Sequence, residues 1–210
     1  PADGLKFTLI TALLNTNGYG NTYNLYVSSA DLPALTDVDN DGDLDVLTFG
    51  ILGSSVEYHK NLSQEKYGIC DSLDFEMKNI CWGYFSENGF SNTINLHDTC
   101  PGNVSAPEKM NHSGSTILAL DINGNGLKDL VLGDVSFSNM ILITNTGTLT
   151  SAGMSASDPA FPSNSVPVDI DIFPAAFYMD VNNDGLRDLL AAPNSELAAE
   201  NFASVWYYRN

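Results

Sequence analysis

Apolar residues along this chain come in short runs whose alternation has a period of two, bounded by clusters of Asn, Asp, Gly and Ser, which is the signature of β-strands joined by turns. Strands are expected at 5–10 and 23–27, separated by an Asn/Gly-rich turn region over 15–21. Residues 34–36 then lead into a polar stretch, 46–50 leave it, and 56–61 follow after a Gly-Ser-Ser turn. The unit is strand, loop, strand, turn, strand. It recurs at 117–120, 130–133 and 140–145, and again at 177–179, 189–192 and 205–210. A Ser/Pro/Ala-rich loop over 151–165 leads into a further alternating run at 168–172. Apolar residues at helical three- and four-residue steps do not extend beyond a few turns, so the class is all-β.

Spacing shows that the units are copies. Asn61 lies 24 residues after Asp37 and Asn145 lies 24 after Asp121, while Asn210 lies 30 after Asp180. Loop starts are 84 and 59 residues apart, so a unit of about 60 residues with one insertion of about 25 describes the chain. The expected divisions are a first repeat over about 1–61, a cysteine-containing insertion over 62–113, a second repeat over 114–150 and a third over 151–210.

The polar stretches carry the chemistry. The first reads Asp37, Val38, Asp39, Asn40, Asp41, Gly42, Asp43, Leu44, Asp45. A hard divalent cation takes six to eight oxygens, and this pattern supplies side-chain oxygens at positions 1, 3, 5 and 9 and a main-chain carbonyl at 7. The candidate ligands are therefore Asp37, Asp39, Asp41 and Asp45 with the Asp43 carbonyl. In the second loop they are Asp121, Asn123, Asn125 and Asp129 with the Leu127 carbonyl, and in the third Asp180, Asn182, Asp184 and Asp188 with the Leu186 carbonyl. Ligand charge ranks the expected affinities first, third, second. A helical calcium hand would need Glu at position 12, where Thr48, Leu132 and Ala191 stand. Solvated acidic turns are the competing reading, since Asp and Asn form turns unaided; three copies in one ligand phase and the mutual repulsion of close carboxylates favour up to three calcium ions, acting as staples between strands.

Composition changes the picture in three ways. A formal charge of −18 with only eight Lys plus Arg excludes nucleic acid and anionic membranes as partners, and three divalent ions would remove a third of that charge. No run approaches the roughly 18 apolar residues of a membrane helix. Cys70, Cys81 and Cys100 fall in one window without metal-like spacing, which predicts a disulfide clamping the insertion and an oxidising, extracellular setting.

The residues 35–47, Phe49 and Gly50, and the closing runs 58–61 and 206–210 resemble the FG-GAP or VCBS repeats of integrin α-subunit heads and of secreted bacterial proteins, most closely exported Bacteroidetes surface proteins of the type IX secretion system. The resemblance implies β-propeller blades of about four strands, with three units expected to form part of a larger, seven-bladed ring. It further implies a secreted or cell-surface binding or adhesion module, with a protein or glycan ligand and the secretion machinery as partners. A domain of a polysaccharide-active enzyme is the alternative, although His59, His97 and His112 sit in unrelated contexts and no catalytic constellation is visible. Trp82, Tyr84, Phe85, Trp206 and Tyr207 are candidates for stacking on sugars or for packing in strands. Asn61, Asn103 and Asn111 head N-x-[ST] sequons.

Overall fold

A computed structural model describes residues 4–51, 53–88, 90–100, 114–195 and 202–210. Among these residues the chain is all-β apart from one short helix. The first sheet is an antiparallel meander of β3 (Ala34–Thr36), β4 (Asp45–Phe49), β5 (Val56–Asn61) and β6 (Phe75–Asn79). A hairpin of β1 (Asn15–Gly18) and β2 (Asn21–Asn24) joins it through a parallel β1–β6 pairing. The second sheet is the meander β9 (Ser115–Leu120), β10 (Asp129–Asp134), β11 (Met140–Asn145) and β12 (Met154–Phe161). The third contains β13 (Pro174–Met179), β14 (Asp188–Pro193) and β15 (Trp206–Tyr208). A separate hairpin, β7 (Phe85–Glu87) and β8 (Ile94–Leu96), and the helix α1 (Ser63–Tyr67) lie between the first two sheets in sequence. Each acidic loop joins the first and second strands of its meander. None of the sheets closes on itself.

The sheets stack face to face, and the period of two in β10 decides how. Leu130 and Leu132 point into one core with Leu47, Phe49 and Val56 of the first sheet, whereas Val131 points into another with Ala191 of the third. The middle sheet is thus buried on both faces, so β10 is apolar at each of Leu130, Val131 and Leu132 where a one-sided strand would alternate. At Gly133 the third sheet comes so near that an added Cβ would collide with the Pro174 carbonyl, to which Thr116 Oγ1 donates at 2.9 Å.

Several expectations change. Residues 5–10 alternate as a strand should but pair with nothing in the sheets, and Leu5, Phe7 and Leu9 are almost fully exposed. Residues 168–172 bury Val168 and Ile170 as alternation requires, but they are tied by single backbone bonds to Phe161 and Ser138 and belong to no strand. The fourth strand of the first sheet, β6, lies inside the segment read as an insertion. Cys81 and Cys100 form the disulfide, with Cα atoms 5.6 Å apart, and Cys70 is unpaired and exposed.

Candidate metal centre

The three loops are wound alike, and the backbone shows why the residue types recur. Position 6 has positive φ in each, 101° at Gly42, 83° at Gly126 and 89° at Gly185. Position 4 does too, with 62° at Asn40, 76° at Gly124 and 61° at Asn183. Asn and Gly are the residues that enter this left-handed region most readily. The asparagine or glycine at position 4 was a second signal in the sequence.

Side chains then tie the coil. The first Asp accepts from the amides of positions 5 and 6: Asp41 and Gly42 onto Asp37, Asn125 and Gly126 onto Asp121, Asp184 and Gly185 onto Asp180, all at 2.8–3.2 Å. The ninth residue is buried and spans the unit. Asp45 accepts from the amides of Val38 (2.9 Å) and Asn61 (2.8 Å), Asp129 from Ile122 and Asn145, and Asp188 from Val181 and Asn210. The spacing of Asn61, Asn145 and Asn210 from their loops is the span of that bond. Among the described residues the position-7 carbonyls of Asp43, Leu127 and Leu186 accept no hydrogen bond.

The loops differ in how their acids converge. In the first, carboxylate oxygens of Asp37, Asp39 and Asp45 lie within 4.8 Å of one another, and a second group joins Asp39, Asp41 and Glu65. Glu65 comes from α1, which follows the closing strand and covers the loop; the Gln64 amide donates to Asp43 Oδ2 at 3.0 Å. Sequence spacing within the loop could not find it. Asp43 is 1% exposed, and its Oδ1 and that of Asp39 are buried without a hydrogen-bond partner. Lys60 brings its ammonium to Asp39, Glu65 and, at 3.0 Å, Asp41. Burial opposes the charge on Lys60, but its three acidic partners outweigh that and hold it well above the ordinary lysine range. Burial pushes the Asp45 carboxyl up to about 7 against the pull of the Val38 and Asn61 amides, with Asp39 and Asp43 adding to the rise. Tyr58, whose hydroxyl donates to Asp45 at 3.2 Å, is raised by burial and then by Asp45, Asp39 and Asp41.

The second loop has two carboxylates, with Asp129 buried and raised by that burial. The third is exposed from Asp180 to Arg187, and Arg209 approaches Asp184 at 3.5 Å. Among the described residues no acid triad converges in either. The first two loops touch: Asn40 Nδ2 donates to the Gly126 carbonyl at 2.9 Å and Lys128 donates to Asn40 Oδ1 at 3.2 Å.

No family model matches the chain. No curated protein and no solved structure matches it either. The remaining candidates from the sequence fall as follows. His59 is buried between Thr16 and Glu57, His97 lines a cavity, and His112, with Asn103 and Asn111, lies outside the described residues. Trp82 and Phe85 are core residues, Trp206 is half-buried, and Tyr207 donates to Asp188 at 3.1 Å; Tyr84 is exposed beside the same cavity as His97.

Proposed function

We propose that the chain is a calcium-stapled binding module of a secreted or cell-surface protein, its stacked meanders being blades of an FG-GAP or VCBS-type propeller. The observation that carries the ion is the first loop, where three carboxylates converge within 4.8 Å and buried oxygens of Asp39 and Asp43 have no partner. Carboxylates so close and so dry repel one another unless a cation lies among them. Asp37, Asp39, Asp41 and Asp45, with the Asp43 carbonyl, would hold the ion, and Glu65 is within reach of the same group. Bound there, it ties β3 to β4 and replaces the Lys60 ammonium as the positive charge of the cluster. The second and third loops share the winding but hold fewer convergent acids, so they bind more weakly. A disulfide fits the oxidising setting of an extracellular protein.

The test is thermal unfolding of the chain in calcium and in EDTA. An ion at 100 times its dissociation constant stabilises by about 2.7 kcal/mol, which moves the midpoint of a chain this size by roughly 5–10 °C. Superimposable melting curves in the two buffers would sink the ion reading.

A further inference from the structure

Between the hairpin β7–β8 and the edge of the second sheet lies a cavity of about 340 Å³. That is the low end of the range of small-molecule sites, roughly 300–1,000 Å³, and room for about one sugar ring. One wall carries Tyr84, His97, Asp98 and Thr99; the other is the turn and strand start at Thr146, Gly147 and 153–155.

Three features mark it as built. First, two wall residues with large side chains are held in the left-handed region, Tyr84 at φ 53° and His97 at φ 60°, next to Cys100 at φ 38°. Non-glycine residues persist there only when their surroundings impose it, and such residues cluster at functional sites. Here the Cys81–Cys100 disulfide, the Tyr84 amide on the Cys81 carbonyl and the Asp98 amide on the Tyr84 carbonyl impose it. Second, the facing turn is fixed independently. Asn145 Oδ1 accepts from the amides of Gly147 and Gly153, both at 3.0 Å, and the Met154 amide bonds the Gly83 carbonyl across the cleft at 2.8 Å. Third, exposed polar side chains line it. Among the described residues, the Tyr84 hydroxyl, the His97 imidazole and the hydroxyls of Thr99 and Thr146 have no protein partner.

The lining chemistry selects the ligand. Asp98 has each carboxylate oxygen engaged by its own wall, Oδ1 accepting from the Cys100 amide and Oδ2 from the Ser86 hydroxyl. Among the described residues no Lys or Arg lines the cavity, and the formal charge of −18 repels anions. A cation cage needs several aromatic faces, and among the described lining residues Tyr84 is the one Phe, Tyr or Trp. One exposed aromatic face beside several neutral donors and acceptors matches a ring that is apolar on its C–H face and hydroxylated at its edge. We propose that this cavity is a subsite for a neutral saccharide, with Tyr84 stacked on the ring and His97, Thr99 and Thr146 bonding its hydroxyls. The proposal rests on reading the chain as a binding module; the ion can fail without touching it.

The test uses the full chain in calcium, titrated with methyl glycosides of glucose, galactose, mannose and N-acetylglucosamine, with glucuronate and choline as anionic and cationic probes. Saturation-transfer NMR and calorimetry read the binding. At least one neutral glycoside should bind with millimolar affinity, as expected for one ring in an open site. Tyr84→Asn removes the ring while tolerating the left-handed backbone, and Ser155→Trp fills the cavity from an exposed position on β12. Each should weaken binding by about tenfold or more and leave the calcium-dependent melting shift unchanged. Binding by none of the four glycosides, binding that survives both variants, or binding of glucuronate or choline alone would each overturn it. If glycosides bind while EDTA leaves the melting curve unmoved, the ion reading alone is lost.

Discussion

Lys60 makes the first loop the most informative place to perturb. Its ammonium contacts Asp39, Asp41 and Glu65 with a side chain only 14% exposed, so in the ion-free protein it is the cation that neutralises the cluster. Lys60→Met keeps the stem and deletes that charge. A charge pair at contact distance is worth about 4 kcal/mol at an effective dielectric of 20, and removing one partner of a buried group costs roughly 3–5 kcal/mol. The site is not fully buried, so about 2–4 kcal/mol is the expected loss in EDTA, or roughly 4–16 °C in the midpoint of a chain this long. Calcium changes the sign of the comparison. To enter the cluster the ion must displace the ammonium, so the variant should bind calcium at least about tenfold more tightly, each factor of ten being about 1.4 kcal/mol. Urea unfolding in EDTA and in calcium, with calorimetric titration of the ion, reads both effects. Equal EDTA stability in the two proteins, or weaker calcium binding by Lys60→Met, would refute the picture of an internal cation exchanged for an external one. It would also restore the charge-ranked order of affinities, in which the first loop is strongest without qualification.

The remaining predictions concern protonation, packing and backbone. The Asp45 carboxyl is raised to about 7 in the fold, so its folded form binds a proton more tightly than the unfolded chain, whose carboxyl titrates near about 3.9. Its contribution is fully present below about 4 and is lost as pH rises through about 7. Melting in EDTA should therefore rise as pH is lowered from about 8 to about 5, with a flatter or reversed trend in saturating calcium; parallel trends would count against the site. Gly133→Ala places a Cβ against the Pro174 carbonyl and should lower stability by about 1–3 kcal/mol or more, read by urea unfolding, with neutrality showing that the second and third sheets do not meet there. Asn183→Val forces a β-branched residue to a φ of 61° and should cost about 1–2 kcal/mol, whereas Asn183→Gly should be close to neutral. Equal effects of the two would show that the loop is not wound through the left-handed region.

Strand, loop and strand were legible because burial on one or both faces imposes a period on the side chains. The fourth strands were not. In β12 five of the eight residues between Met154 and Phe161 are exposed, and the strand exists through its pairing with β11, not through an apolar face of its own. In β6 only Phe75 is buried. Residues 5–10 err the other way, since alternation prepares a strand without supplying the neighbour that makes it one. At the loops the ligand phase could be read, and so could the spacing to the closing asparagine. Lys60 and Glu65 could not, because they reach the cluster from a different strand and from α1, and no spacing inside the loop encodes a side chain arriving from outside it.

The closing asparagines show why equal spacing carried more than evidence of duplication. In each unit the backbone amide of that residue bonds the ninth loop carboxylate, so an ion drawing on that carboxylate also draws on the end of the third strand. In the second and third units the side-chain amide adds a bond to the carbonyl at loop position 8, from Asn145 to Lys128 and from Asn210 to Arg187, both at 3.1 Å. Asn145 spends its other side-chain atom on Gly147 and Gly153, the turn that forms one wall of the cavity beside Tyr84. One residue thus joins the second loop to that wall by direct hydrogen bonds. The loop with the fewest carboxylates is then the one tied to the cavity wall, and the tie runs through an asparagine side chain and not through any of the loop's candidate ligands.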